Sequence, residues 1–336
     1  MTPGFAIGGV RVNGRVLTAP MTGVSDLPFR RATSKLGAPY VATEMVACEL
    51  FARGRPDVVR RAAVGEGLPL TVIQLVGRDA RWLAQGAQMA EAAGADIIDI
   101  NMGCPAKEVT GALAGSALMR DLDEAERLIA AVVNATRRPV SLKMRLGWDE
   151  RTQNAAELAV RAERAGVRAI TVHGRTRHQF YSGRADWRAV AAVKAATKLP
   201  VIVNGDIVDL TSARRALDQS GADAIMIGRG AYGRPWFATA LDKALSDGCA
   251  MFEPNLATRL GIVLDHLRDS LLFHGDLHGV KIFRKHLGWY VEHAPFPPSA
   301  ALRREAKSRL CRLTSPREIE SELIALWSSA QSALAA

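Results

Sequence analysis

The sequence predicts a (β/α)8 barrel followed by a small, all-helical C-terminal domain. Eight short apolar runs alternate with longer helical patterns up to about residue 241. Such alternation requires a parallel sheet, and eight strand–helix units match the closed barrel, which is typically about 250 residues long. An open, doubly wound sheet is the alternative, but it is weakened because no GxGxxG motif follows the first apolar run.

The apolar runs are predicted strands because each is short and ends at a turn or a polar residue. They cover residues 15–20, 40–45, 70–76, 97–102, 140–146, 169–172, 200–203 and 224–227. Helical periodicity predicts helices over residues 26–36, 49–61, 80–93, 123–136, 154–165, 187–196 and 212–220. Residues 111–116 are a predicted loop.

After Trp236 the pattern changes, and residues 254–336 show helical periodicity with no strand candidate. One apolar helical face is formed by Leu256, Leu260, Val263, Leu264 and Leu267. The sequence therefore predicts two domains, a barrel over residues 1–241 and a helical domain over residues 242–336.

The chain is basic, with a formal net charge of +10. This favours an anionic partner, first of all nucleic acid, although a generally arginine-rich proteome would give the same balance. The segment 281–317 contains two acids and nine basic residues, namely Lys281, Arg284, Lys285, Arg303, Arg304, Lys307, Arg309, Arg312 and Arg317. The cluster is therefore either a nucleic-acid contact or a solvated helix face.

Cysteine usage and hydropathy predict a soluble, cytoplasmic protein. The four cysteines, at positions 48, 104, 249 and 311, form no CxxC pair, so we expect no metal site and no disulfide. The N-terminus has no apolar signal region, and no uninterrupted apolar run is long enough to span a bilayer. We therefore expect no membrane association.

The segment from Ile97 to Pro105 carries the clearest chemical signal. An isoleucine-rich run ends abruptly in Gly-Cys-Pro, which places the Cys104 thiol on a stiff loop just past a buried strand. In an α/β barrel, chemistry occurs at this end of the strands. A thiol with an ordinary pKa near 8.5 is mostly protonated at neutral pH, so Cys104 is a proton donor as well as a potential nucleophile. The alternative is a small, apolar core cysteine.

Polar residues end most of the other predicted strands. Asn204-Gly205-Asp206 and Gly228-Arg229-Gly230 follow the last two, where barrels of this kind bind phosphate, and they predict a phosphorylated cofactor. Gln74, Lys143 and His173 supply donors to a ring with carbonyls and nitrogens, such as a flavin. Each residue taken singly is explained equally well as a buried hydrogen-bonding partner. A flavin that delivers hydride, together with a thiol that delivers a proton, would reduce an activated C=C bond.

Taken jointly, the strand-end motifs resemble the tRNA-dihydrouridine synthase family over most of the chain. They are APMTGVSD at 19–26, TEM at 43–45, QL at 74–75, NMGCP at 101–105, KMRLG at 143–147, VHGRT at 172–176, NGDI at 204–207 and GR at 228–229. The sequences CPAK at 104–107, LAGS at 113–116, RKH at 284–286 and EHAP at 292–295 resemble the bacterial B subgroup. Thr22 departs from the alanine that is usual in the family.

The resemblance implies a bound FMN, NADPH as reductant and a uridine of the tRNA D-loop as substrate. FMN would contact Pro20, Met21, Thr22, Gln74, Lys143, His173, Asn204, Gly205, Asp206, Gly228 and Arg229. Cys104 would protonate C5 of the uracil as hydride from the flavin reaches C6, which requires the base to be flipped out of the tRNA. The two domains would then be an FMN-binding catalytic barrel and a helical tRNA-binding domain.

Substrate contacts are predicted at two places. Asn101, Arg145 and the basic loop with Arg175 and Arg177 would hold the target base and its phosphates, while Arg303 and Arg304 would dock the tRNA. A flavin barrel acting on a small molecule, such as a dihydroorotate-type dehydrogenase, is the rival enzyme. A tRNA-binding or regulatory protein that kept the barrel but has lost catalysis is the rival from another class. We expect a monomer. The subgroup suggests uridine 17 of the tRNA as the target, but no residue of this sequence indicates which uridine is reduced.

Overall fold

The computed structural model describes residues 4–111, 113–294 and 299–335. Its strands are β1 (Phe5–Ile7), β2 (Val10–Val12), β3 (Val16–Thr18), β4 (Val46–Ala47), β5 (Val72–Val76), β6 (Ile97–Met102), β7 (Val140–Arg145), β8 (Ala169–His173), β9 (Val201–Asn204) and β10 (Ala224–Ile227). Among the motifs of the resemblance, Pro295 lies outside the described residues, as does Ala112 of the predicted loop at 111–116. A 3₁₀ helix, Gly115–Arg120, begins at the end of that loop.

The helices form two groups. Those of the barrel are α1 (Leu27–Lys35), α2 (Cys48–Ala52), α3 (Pro56–Arg61), α4 (Ala80–Ala92), α5 (Lys107–Thr110), α6 (Leu122–Ala135), α7 (Ala155–Arg164), α8 (Trp187–Ala196), α9 (Leu210–Ser220) and α10 (Phe237–Asp247). Those that follow are α11 (Leu256–His274), α12 (Asp276–His293), α13 (Ala300–Arg312) and α14 (Pro316–Ala335). None of the helices in the described ranges is long and apolar enough to cross a membrane.

Strands β3 to β10 form one parallel sheet in the order β3-β10-β9-β8-β7-β6-β5-β4. Two parallel bridges, Thr18 to Val41 and Ala42 to Val72, connect its two ends, so the sheet closes into the predicted barrel. Where the second strand was predicted at 40–45, only these bridges occur before β4. The Thr43 hydroxyl donates to the Glu44 carbonyl and accepts from the Gln74 N–H, and a side chain thus takes the place of a regular ladder bond.

Local sequence explains where the barrel helices begin. Five of them follow an aspartate whose carboxylate accepts hydrogen bonds from backbone N–H groups of the first turn, at Asp26, Asp79, Asp121, Asp186 and Asp209. Such N-caps satisfy donors that the helix itself leaves free. They fix the residue at which each of these helices begins.

The N-terminal hairpin of β1 and β2 was not predicted. Its strands pair Phe5 with Val12 around a turn at Gly8 and bury Ile7 and Val12. A Cβ at Gly8 would lie 2.9 Å from Cβ of Pro139, the residue before β7, so the hairpin covers the end of the barrel opposite Cys104. Gly-Gly between two β-branched residues, here Ile7 and Val10, is a recognised hairpin signal.

Helices α11 to α14 have a hydrophobic core of their own, which includes Val263, Phe283 and Leu323. Helix α10, in contrast, packs into the barrel core through Phe237 and Leu241. The predicted boundary between residues 241 and 242 therefore falls inside a barrel helix. We propose that the boundary lies at residues 248–255, after the left-handed C-cap of α10 at Gly248.

The helical domain is fixed to the barrel at two places. Near α1, the rings of Phe29 and His286 stack with centroids 5.8 Å apart, and Nε2 of His274 lies 2.8 Å from Oδ2 of Asp26. Near the loop after β10, Tyr232 stacks on Trp289 of α12 at 3.9 Å. These contacts hold α12 beside the carboxyl ends of the barrel strands.

Candidate active site

The carboxyl ends of the barrel strands surround one cleft made of two adjoining cavities. We call them the glycine-lined cavity and the thiol cavity. Their shared walls are Pro20, Met21, Lys143, His173, Tyr181 and Tyr232. The glycine-lined cavity adds Asn204, Gly205, Asp206, Gly228 and Arg229, and the thiol cavity adds Thr22, Gln74, Asn101, Cys104 and Arg145. The fold thus brings together Cys104, every predicted cofactor contact and two of the predicted base contacts.

The glycine-lined cavity has the features of a phosphate site. Gly205 has φ of +116°, and a Cβ there would lie 2.8 Å from Cδ2 of His173, so glycine is required. A Cβ at Gly228 would meet only the Met21 sulfur, at 3.9 Å, which leaves its backbone open to close approach. Arg229 donates to Oδ1 of Asp206 at 3.0 Å while its side chain stays 53% exposed. An accessible guanidinium beside open backbone suits a phosphate dianion.

His173 and Lys143 lie where the two cavities meet. Nη1 of Arg175 lies 3.3 Å from Nε2 of His173; because a guanidinium only donates, Nε2 accepts and Nδ1 carries the proton. Burial, together with the cations of Arg145 and Lys143, holds the pKa of His173 well below its usual value, so the ring is a neutral donor. Burial also lowers the pKa of Lys143, to about 8, which leaves it mostly charged at neutral pH.

Cys104 lies in the loop after β6, half-buried and without a disulfide. Its N–H donates to Oδ1 of Asn101 at 2.9 Å, and its carbonyl accepts from the N–H and the hydroxyl of Ser116. Burial raises the pKa of the thiol, and this outweighs the lowering by Arg145 and Lys143. The thiol is therefore protonated at neutral pH and can act as an acid.

Asn101 and Arg145 line the thiol cavity, but most of their polar atoms hold the chain itself. Arg145 donates through Nε to the Gly103 carbonyl at 2.9 Å, and through Nη1 to the carbonyls of Thr176 and Phe180. It thereby connects the thiol loop to the loop after β8. In the described part of the chain, its Nη2 is the nitrogen without a protein acceptor.

Arg175 requires a correction, since the sequence predicted it as a tRNA contact. The residue is 1% exposed, and both terminal nitrogens donate to the Asp206 carboxylate, at 3.0 and 2.6 Å. Its side chain also donates to the carbonyls of Ser182 and Gly183 and to Nε2 of His173. Arg175 thus fixes Asp206 and the loop after β8 and has no surface to offer to RNA. Arg177, over the Trp148 ring at 4.8 Å, lies outside both cavities.

We expect Arg175→Ala to lower the free energy of unfolding by about 2 kcal/mol or more, because it leaves the Asp206 carboxylate partly buried without its main partner. Urea denaturation measures this change. Arg177→Ala is the matched control and should cost less than about 1 kcal/mol, since Arg177 is paired with no carboxylate among the described residues. Equal stability of the two variants would contradict a structural role for the Arg175–Asp206 pair.

Several residues that line the two cavities were not predicted, among them Tyr181, Tyr232, Met45 and Arg61. Tyr181 faces both cavities, with the guanidinium carbons of Arg229 and Arg145 5.4 and 5.6 Å from its ring centre. Tyr232 also faces both, while Met45 and Arg61 line the thiol cavity. In the loop after β8 the prediction considered basic residues alone. The aromatic pair Phe180-Tyr181 in that loop was the signal that the sequence offered. Met45 stands in the TEM motif and was visible as a strand end.

A third cavity lies between the barrel and helices α11 and α12, and it shares Arg61 with the thiol cavity. Its basic residues are Arg60, Arg61 and Lys285, opposed by the acids Asp26, Glu44 and Asp57. Burial raises the pKa of Glu44, and the Asp57 carboxylate pairs with Arg55 and with Arg61. Arg60, Arg61 and Lys285 thus border the cleft on the side of the helical domain, interspersed with acids.

The basic cluster of the tail is only partly free. Lys307 pairs with Glu292, and Arg309 pairs with Glu322, a residue just beyond the cluster in sequence. Arg304 is exposed and pairs with no acid in the described ranges, whereas Nη1 of Arg303 lies 3.5 Å from the Glu292 carbonyl. Neither Arg303 nor Arg304 is among the residues that line the cleft. Nor do the described residues contain a group of three or more His, Cys, Asp or Glu side chains placed to hold a metal ion.

A closed (β/α)8 barrel with a phosphate-type cradle and a protonated thiol in one cleft suits a flavin-dependent barrel enzyme. The model of the family described as "Dihydrouridine synthase (Dus)" matches residues 17–325 of the chain. The chain belongs to this family, whose members are FMN-dependent oxidoreductases.

Its similarity to individual proteins agrees with this membership. It is 52% identical to a probable tRNA-dihydrouridine synthase of Rhodobacter capsulatus, over 89% of this chain and 93% of the relative. It is 43% identical to tRNA-dihydrouridine synthase B of Pseudomonas aeruginosa, over 86% and 87%. A solved structure of morphinone reductase, with 14% identity, superposes with a TM-score of 0.52 over 77% of this chain and 93% of that chain, which shows a shared fold.

Proposed function

We propose that this protein reduces the C5=C6 bond of uridines in the tRNA D-loop, with FMN bound in the barrel and NADPH as the reductant. The observation that carries the proposal is that the Cys104 thiol and the glycine-lined cradle open into one cleft. Family membership and the identity to tRNA-dihydrouridine synthases support the substrate class. The monomeric state, the cytoplasmic location and the choice of uridine 17 stay predictions.

The residues of the cleft fit FMN. Gly205, Asp206, Gly228 and Arg229 would surround the phosphate, because the backbone at Gly228 is open and the Arg229 guanidinium is accessible. The ring would contact Pro20, Met21, Thr22, Gln74, Lys143, His173 and Asn204, among which neutral His173 and charged Lys143 would donate to ring nitrogens and carbonyls. When bound and reduced by NADPH, FMN would supply hydride to C6 of the uracil.

Cys104 would supply the proton to C5, for which its raised pKa and its half-buried position at the cavity wall suit it. The loop that carries it is fixed by Asn101, Ser116 and Arg145, so the thiol is held in one place relative to the cleft. Nη2 of Arg145 and the amide of Asn101 are proposed to contact the flipped uracil. In this role they read the base and do not reach phosphates.

We propose that Arg60, Arg61 and Lys285 bind tRNA phosphates beside the cleft, with Arg177, Arg303 and Arg304 as outer contacts. Phosphate contacts position the substrate and make its affinity salt-dependent. The double variant Arg60→Ala, Lys285→Ala should raise KM for tRNA roughly 10-fold or more. It should also flatten the slope of log affinity against log salt by about 0.7–0.9 for each phosphate that the protein no longer neutralises. NADPH oxidation by dioxygen should not change.

Arg137→Ala, Arg138→Ala is the matched control, because these exposed residues precede β7 at the opposite end of the barrel. It should leave KM for tRNA and the salt slope as in the parent. A second double variant, Arg303→Ala, Arg304→Ala, measures how much α13 contributes to tRNA affinity. Parental tRNA affinity at every salt concentration in both test variants would place the RNA elsewhere on the barrel rim.

Mapping of dihydrouridine in a deletion strain tests the proposed function as a whole. Loss of the modification at one or more D-loop positions, restored by the parent gene and not by its Cys104→Ala form, is the expected result. Unchanged tRNA would favour a flavin barrel acting on a small molecule.

A further inference from the structure

A chain of side-chain hydrogen bonds runs from the barrel interior to the thiol loop. It begins at Asp99 of β6, which is 2% exposed. Oδ2 of Asp99 accepts from Nε2 of Gln74 at 2.6 Å, and Oε1 of Gln74 accepts from Nδ2 of Asn101 at 2.8 Å. Oδ1 of Asn101 accepts from the N–H groups of Cys104 at 2.9 Å and of Gly103 at 3.2 Å. Gln74 and Asn101 thus link the buried carboxylate of Asp99 to the backbone of the thiol loop.

Sheet register explains why this chain forms. Gln74 on β5 and Ser141 on β7 are the direct register partners of Asp99. The hydroxyl of Ser141 donates to Oδ1 of Asp99 at 2.6 Å, so both carboxylate oxygens have a donor from a neighbouring strand. Asn101 is two residues further along β6 and therefore points to the same side as Asp99.

The chain has one chemically consistent direction. An ionised carboxylate only accepts, so Gln74 must turn its NH₂ group toward Asp99 and its oxygen toward Asn101. Asn101 must then turn its NH₂ group toward Gln74 and its oxygen toward the two backbone N–H groups. If Gln74 were reversed, Asn101 would present NH₂ to N–H donors, and the hydrogen bonds to the loop would break. Asp99 therefore sets the orientation of both amides.

We propose that Asp99 is a positioning residue, which holds the Cys104 thiol at the cleft by fixing the orientation of the Gln74 and Asn101 amides; this rests on the proposed role of Cys104. Asp99 lies outside the described walls of both cavities and thus acts through its neighbours. Burial raises its pKa, to about 6, against the hydrogen bonds of Ser141 and Gln74 and the charge of Lys143. Burial of a carboxylate costs free energy. The orientation that Asp99 imposes on the Gln74 and Asn101 amides explains why a carboxylate is nevertheless buried here.

Alkylation of the flavin-free protein tests the proposal without enzymatic activity. Iodoacetamide labelling of Cys104 is followed by mass spectrometry in the parent, Asp99→Leu and Asp99→Asn. The leucine frees the amides to reorient, and labelling of Cys104 should accelerate about 5-fold or more as the loop opens. The asparagine can still accept from Gln74 and donate to the Ser141 hydroxyl, so it should stay within about 2-fold of the parent. Half-buried Cys311, in the other domain, is the internal reference.

Gln74→Met cuts the same chain while keeping Asp99, and it should accelerate Cys104 labelling as the leucine does. It decides the matter if Asp99→Leu fails to fold. Asp242→Leu, which removes another buried carboxylate that accepts from the Arg15 N–H, is the matched control and should leave Cys104 labelling unchanged. Parental labelling of Cys104 in Gln74→Met, or equal acceleration in the Asp242 variant, overturns the proposal.

The loaded enzyme gives a second readout. Asp99→Leu should lower kcat for dihydrouridine formation about 10-fold or more with KM for tRNA within about 2-fold, since a displaced catalytic group costs turnover and not docking. Asp99→Asn should recover most of this loss. A parent protein that forms no dihydrouridine would reject the proposed function, whereas an active parent with equally active Asp99→Leu rejects the positioning role.

Discussion

Replacement of Cys104 by alanine is expected to lower the rate of uridine reduction in tRNA by about 10²-fold or more, the usual range for loss of a general acid. Reduction of uracil needs a proton at C5, whereas electron uptake from NADPH needs no protein acid. NADPH oxidation by dioxygen should therefore continue at the parental rate. Parallel assays of NADPH oxidation and of dihydrouridine content, with parent and variant at equal flavin loading, measure the two effects.

The other cysteines provide the controls for this experiment. Cys48 is buried against Gly86 of α4, where burial raises its pKa to about 12, while Cys249 is exposed and Cys311 belongs to the helical domain. Each should tolerate alanine with normal turnover. Full dihydrouridine formation by Cys104→Ala would remove the thiol from the mechanism.

Replacement of Arg229 by alanine should release the cofactor. The guanidinium is the accessible cation of the glycine-lined cavity, and charge-assisted bonds to a phosphate are about twice as strong as neutral ones. We expect a weakening of FMN binding by about 10²-fold, so that the variant purifies largely colourless. Its melting temperature should rise when FMN is added, since a ligand stabilises the state that binds it.

Arg188→Ala is the matched control, because Arg188 is exposed on α8, away from the cleft residues. It should purify with as much flavin as the parent. If Arg229→Ala holds FMN as tightly as both, the phosphate binds elsewhere.

Most of the barrel could be predicted because buried parallel strands are nearly continuous apolar runs. Strands β5 to β10 begin and end within about two residues of the predicted runs. The second strand departs from its run because the Thr43 side chain replaces a backbone ladder bond, a substitution that hydrophobicity does not register. The β1–β2 hairpin was missed because its strands have three residues each.

The charge predictions have a common weakness. A sequence gives the number of charged residues but does not show which of them form ion pairs with each other. Arg175 was predicted as an RNA contact, but its carboxylate partner Asp206 comes from the next strand end and buries it. In the tail, Lys307 and Arg309 are paired with Glu292 and Glu322. Arg61 and Lys285, distant in sequence, in contrast meet beside the cleft. Positions at strand ends were predictable from topology, but ion pairs were not.

The proposed function is tested most directly by one anaerobic measurement. The holoprotein is reduced with a stoichiometric amount of NADPH and mixed with tRNA transcribed without modifications. We expect the visible absorbance of oxidised flavin to return, with one dihydrouridine formed per flavin reoxidised. The Cys104→Ala protein should stay reduced over the same period. A parent protein that stays reduced in the presence of tRNA would contradict the assignment.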